Sequence, residues 1–256
     1  MEIINQSIPR TPVTTVLFDF DGTISTFRYG WEELMEQMMI EQLGSDSTEF
    51  VRTYISDSAG IQTIFQMKWL AEQVSLRYGC AEDPWEYKAE YNRRLMETVA
   101  KRRKAVADGS EKREKYMISG SESILKMLHN KGVALYVASG TDDPDVAAEV
   151  GALNLTEYFV KIAGAPLGAE NCSKEGVIRE LLGSGIPGSK LAVVGDGKVE
   201  IAIGRQHGAR ALGVASDEST LCGVNLVKHE RLVKAGADVI VGDFLEFDRL
   251  AWFFGL

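Results

Sequence analysis

Short, β-branched apolar runs punctuate this chain, and the stretch between the first two has a different texture from the rest. Val13 to Phe20, VTTVLFDF, is the pattern of a buried strand. From about Arg28 to Lys115 the apolar residues recur at helical spacing, as in WEELMEQMMIEQL and IQTIFQMKWLAEQVSLRYG. Val, Ile and Thr thin out there while Glu, Gln, Met, Lys and Arg dominate, which favours helices. Alternation resumes near Ile118. SESILKMLHNKG reads as a helix ended at Gly132, VALYVAS as a strand, and DDPDVAAEVGAL as a helix with Pro144 in its first turn. Strand and helix then alternate through YFVKIAG, SKEGVIRELL, KLAVVGDG, KVEIAIGRQHG, ARALGVAS, NLVKHERLVKAG and ADVIVGD.

Strands separated by helix-length segments predict parallel βαβ units, whose right-handed crossovers put helices on both faces of one sheet. The expected architecture is therefore a three-layer α/β core, residues 1–27 and 116–256, interrupted by a helical insert, residues 28–115. The insert leaves just after the first strand, so its base belongs at the carboxyl edge of the sheet. Open α/β sheets bind ligands in the crevice at that edge.

Composition narrows the picture. The 256 residues are 45% hydrophobic and 25% charged, as in an ordinary globular protein. No apolar run approaches the roughly 20 residues of a membrane span, and the N-terminal residues do not resemble an export signal; a cytoplasmic location is expected. Cys80, Cys172 and Cys222 are scattered and match neither a disulfide framework nor a zinc spacing. The formal charge of −9 argues against a nucleic-acid partner.

The chemistry gathers at the strand ends. Asp19 and Asp21 close the first apolar run and are followed by Gly22 and Thr23; Ser139 and Gly140 follow VALYVA; Asp196 and Gly197 follow KLAVVG, with Glu200 one helical turn on. Lys174 stands at the start of the helix before that third strand, a position that favours it over Lys161 and Lys198. In a parallel sheet these ends share one edge. Carboxylates at this density suit Mg²⁺. A carboxylate can also attack phosphorus, a second can act as general acid and base, and a hydroxyl, loop amides and a lysine can stabilise the transferring group.

The ordered set Asp19-Phe20-Asp21-Gly22-Thr23, VASGT with Ser139, Lys174, and VVGDG with Asp196 resembles the four motifs of the haloacid dehalogenase-like hydrolase superfamily. The resemblance implies a three-layer Rossmann-like parallel sheet core with an inserted α-helical cap domain of the C1 type. It implies that Asp19 is the nucleophile, Asp21 the general acid/base, and that Asp19, the backbone carbonyl of Asp21 and Asp196 hold Mg²⁺. Ser139 and Gly140 would bind phosphoryl oxygens, Lys174 would neutralise Asp19 and the phosphoryl group, and Thr23 and Gly22 would shape the loop. Where the superfamily often has a second Asp in its last motif, this chain offers Glu200, which can reach the metal directly, through water, or by way of the lysine.

The function expected on this resemblance is Mg²⁺-dependent hydrolysis of a small phosphorylated metabolite. A sugar phosphomutase on the same carboxylates, or a phospholigand-binding protein with little catalysis, are the alternatives. Dehalogenase chemistry is disfavoured, because Asp21 has no use when halide leaves. Arg28, close after the nucleophile loop, is a candidate contact to the substrate. The basic stretch KRRKAVADGSEKREK reads as a solvated helix face near the junction of insert and core. GSGIPG has the letters of a dinucleotide fingerprint but follows a helix and precedes a strand, the reverse of the required order.

Overall fold

The computed structural model describes residues 1–168, 170 and 173–256; Cys172, counted above among the thiols, lies outside them. Among the described residues seven strands form one sheet: β1 Glu2–Ile3, β2 Thr15–Phe18, β3 Ala134–Asp142, β4 Phe159–Ala165, β5 Leu191–Gly195, β6 Arg210–Val214 and β7 Val239–Val241, in the order β1-β7-β6-β5-β2-β3-β4. The four strands β5, β2, β3 and β6 and their neighbours β4 and β7 run parallel, while β1 pairs antiparallel with β7. The sheet is thus mixed at one edge, where the alternating pattern predicts parallel strands throughout.

Four helices lie between β2 and β3: α1 Trp31–Leu43, α2 Thr48–Ser58, α3 Thr63–Tyr78 and α4 Pro84–Ala107. Six more lie among the described residues of the core: α5 Ser121–Asn130, α6 Asp143–Ala152, α7 Ser173–Gly183, α8 Lys198–Gln206, α9 Leu226–Ala235 and α10 Phe247–Phe254. The period-2 alternation of β2 divides its side chains between two apolar clusters. Val16 and Phe18 pack with Leu125 and Leu128 of α5 and Val146 and Val150 of α6, whereas Leu17 packs with Ile178 of α7, Ile201 of α8 and Leu232 of α9. These are the outer layers of the three. None of the helices among the described residues is long and apolar enough to cross a membrane.

The two strands of chain that join insert and core run side by side. Thr26 N–H donates to the Tyr116 carbonyl at 2.9 Å and Ile118 N–H to the Ile24 carbonyl at 3.0 Å. Arg102, from the basic stretch, donates to the carbonyls of Phe27 at 2.7 Å and Tyr29 at 2.9 Å, and Arg113 to that of Leu153 at 2.6 Å. At least these two side chains therefore bind backbone at the junction, where a solvated face was expected. Between α2 and α3 the insert drops onto the core: a Cβ at Gly60, whose φ is +87°, would stand 3.3 Å from the Cα of Gly197. The close approach and the positive φ both call for glycine there.

Candidate active site

β2 ends at Phe18, so Asp19 already stands outside the ladder, yet its N–H still donates to the Val194 carbonyl of β5 at 2.8 Å. That bond fixes the backbone of Asp19 at the sheet edge. Its carboxylate is buried, 6% exposed, and lies 3.0 Å from Lys174 Nζ. Burial, reinforced by Glu200, Asp196 and Asp21, pushes the Asp19 carboxyl well above its ordinary range, against the pull of Lys174. Burial works to lower Lys174, but Asp19 and Glu200 outweigh it and hold the ammonium charged.

Glu200 is three residues inside α8, and its Oε1 accepts the Gly197 N–H at 2.6 Å, closing the start of that helix. Its Oε2 accepts from Lys174 Nζ at 2.7 Å. Both oxygens thus have protein donors, and the contact with Lys174 orients the lysine toward Asp19. The two other lysines considered from the sequence point elsewhere: Lys161 pairs with Glu180 at 2.6 Å, and Lys198 donates to the Asp57 carbonyl.

On the other side of Asp19, β3 breaks register between Ala138 and Asp142, and this irregularity turns Ser139, Gly140 and Thr141 out of the ladder. Asp21 Oδ2 accepts hydrogen bonds from Ser139 Oγ at 3.1 Å and Thr141 Oγ1 at 2.8 Å. Gly140 lies beneath the Ile61 carbonyl of the insert, 3.4 Å from where its Cβ would be. Arg28 approaches Asp21 Oδ1 to 3.7 Å, but its guanidinium is taken by Glu149, with Nη2 at 2.7 Å and Nε at 3.1 Å from Glu149 Oε1. Arg28 therefore borders the site as half of a buried ion pair. Thr23 is fully buried beneath the loop and does not line the cavity.

The third side is built by Asp196. Its Oδ2 is 2.8 Å from Lys228 Nζ, which also reaches Glu218 Oε1 at 2.7 Å. Burial acts to raise Asp196, but Lys228 and Arg231 outweigh it and hold the carboxyl below its usual range. Gly22 packs directly on this pair: with φ of +70°, a Cβ there would lie 2.3 Å from Asp196 Oδ2. The glycine after the two aspartates is needed for its conformation and for its missing side chain.

Together these walls line a half-open cavity of about 100 Å³, to which the insert contributes Trp31, Ile61, Thr63, Gln66 and Tyr91. Carboxylate oxygens of Asp19, Asp196 and Glu200 lie within 4.8 Å of one another. Hard anionic oxygens this close fit a divalent cation. The side chain of Asp21 is outside that group.

Sequence reading overlooked Thr141, Glu149, Glu218 and Lys228. Three of them carried a signal: Glu149 follows buried Val146 by three residues, Lys228 precedes buried Leu232 by four, and Thr141 ends the VASGT motif. A charged side chain on the buried stripe of a helix calls for a partner.

The chain belongs to the haloacid dehalogenase-like hydrolases, whose family model matches residues 13–208. Solved structures share the fold at low identity. A protein described as a predicted phosphoglycolate phosphatase from Haemophilus somnus 129PT is 15% identical, with a TM-score of 0.65 over 94% of this chain and 99% of its own. A β-phosphoglucomutase from Clostridium difficile, 15% identical, gives 0.67 over 94% and 97%. A protein described as a predicted phosphatase from Clostridium acetobutylicum, 20% identical, gives 0.60 over 94% and 97%. No curated protein matches the sequence.

Proposed function

We propose that this hydrolase is a Mg²⁺-dependent phosphatase of small phosphomonoesters. The observation that carries the reading is the division of labour between two carboxylates. Asp19 is buried against Lys174 and Asp196, while Asp21 is held apart from it by Ser139 and Thr141. A nucleophile and a separate proton carrier are what hydrolysis of a phosphomonoester through a covalent intermediate requires.

In this reading an Asp19 oxygen attacks phosphorus and forms the aspartyl-phosphate as the bond to the leaving oxygen breaks. Asp21, in its carboxylic acid form, gives the departing alkoxide its proton. The resulting Asp21 carboxylate then takes a proton from water, whose oxygen attacks phosphorus and releases Asp19 and inorganic phosphate. Lys174, held in place by Glu200, and the donors at Ser139 and Gly140 face the negative charge on the phosphoryl oxygens. Asp19, Asp196 and the Asp21 carbonyl would hold Mg²⁺, which offsets further negative charge on that group when bound. The insert acts as a cap, excluding water and shaping the room for the leaving group.

The test is a panel of phosphorylated metabolites assayed with Mg²⁺ for phosphate release and, in parallel, for isomer formation from hexose phosphates. Phosphate release is expected. Asp19→Asn should lower it at least about a thousandfold while the thermal transition is retained. Isomer formation without phosphate release would assign the mutase chemistry instead, and undiminished turnover in Asp19→Asn would remove the covalent mechanism.

A further inference from the structure

Lys228 is a buried lysine that no step of the proposed chemistry uses. It projects from α9 and is 8% exposed. Its Nζ sits in a cage of oxygens: Asp196 Oδ2 at 2.8 Å, Glu218 Oε1 at 2.7 Å and Ser216 Oγ at 3.2 Å. Ser216 Oγ in turn donates to the Gly22 carbonyl, so the cage is tied to the loop that carries Asp19 and Asp21.

Its position matters because Asp196 is shared. One acid belongs both to this cage and to the group of three whose oxygens converge beside Asp19. A fixed positive charge touching a metal-binding carboxylate opposes a divalent cation on that same carboxylate. Glu218, 2.7 Å from the same Nζ and with its side chain 12% exposed, offsets part of that charge and so limits the opposition.

We propose that Lys228 is a tethered cation that tempers divalent-metal binding at Asp196, with Glu218 setting how strongly it does so. The inference rests on the reading of Asp196 as a metal-binding acid. Lys228 is a positioning residue in this role, acting through Asp196 without touching substrate.

The test is Mn²⁺ binding without substrate, followed by the electron paramagnetic resonance signal of the free ion. Lys228→Met should bind Mn²⁺ at least about tenfold more tightly than wild type. Glu218→Gln, which leaves the lysine uncompensated, should bind it at least about threefold more weakly. Opposite signs are the signature, because damage to local packing would weaken binding in both variants. Unchanged or weaker binding in Lys228→Met overturns the proposal, as does unchanged or tighter binding in Glu218→Gln. If Lys228→Met does not fold, Lys228→Gln takes its place, with the same tightening expected and the same results overturning the proposal. Wild-type protein that binds no Mn²⁺ at millimolar concentration would overturn the metal reading beneath it, a result distinct from wild-type binding with unaltered variants.

Discussion

Glu149 has no exposed surface and serves as counter-ion to Arg28, the residue that reaches toward Asp21. Burial pushes its carboxyl up to about 7, with Arg28 pulling against it. A carboxyl raised on folding favours the folded state at low pH, and that contribution fades as pH rises through its folded value. Between pH 5 and pH 8 the loss amounts to about 2 kcal/mol. Glu149→Gln cannot ionise, so the stability measured by urea unfolding should fall less between those pH values than in wild type. A pH profile parallel to wild type would show that this carboxyl does not titrate in that window.

Residues of this kind mark the boundary of what the sequence discloses. Asp19, Asp21, Ser139, Lys174, Asp196 and Glu200 were legible because each stands at a fixed offset from an apolar strand or a helix start. Their convergence then follows from parallel topology alone. The partners Arg28–Glu149 and Lys228–Glu218 depend on which helix faces which loop, and no local pattern states that. What the sequence does show is the anomaly, a charge where the helical period places an apolar residue.

At the scale of elements, the insert is fastened to the core by a buried contact at Asp142, next to the Ser139–Thr141 loop. Lys88 of α4 donates to Asp142 Oδ1 at 2.6 Å and Asn92, one turn on, to Asp142 Oδ2 at 3.1 Å. Both partners of the ion pair are only 10% exposed at the side chain. Removing one member of such a pair leaves the other charge buried, at a cost of about 3 kcal/mol. Lys88→Met should therefore lower stability by that order and speed amide hydrogen exchange in α4 more than in α5 or α8. Uniform loss of protection would place the contact in global stability alone. The elements themselves follow from periodicity, except at the ends. β1 has two residues, too few to carry a pattern, and its pairing with β7 is a long-range contact. The eight residues of α10, FDRLAWFF, have no side-chain N-cap, and their aromatic run suits a strand as well as a helix.

The whole molecule carries a formal charge of −9, and its fold draws several of those acids to one edge of the sheet. Asp19 and Asp196 are 177 residues apart in sequence, so their oxygens meet only when β2, β5 and the loops between them are assembled. A cation that needs both binds the folded chain and scarcely the unfolded one, and such binding adds stability by mass action. At a Mg²⁺ concentration a hundred times the dissociation constant the gain is about 2.7 kcal/mol. Mg²⁺ should accordingly raise the melting temperature in a saturable way, EDTA should reverse the rise, and Asp196→Asn should abolish most of it. Na⁺ at matched ionic strength separates this from general screening, since screening acts on every surface acid alike. An equal rise with Na⁺, or an undiminished rise in Asp196→Asn, would mean that the acids at the sheet edge hold no specific divalent ion.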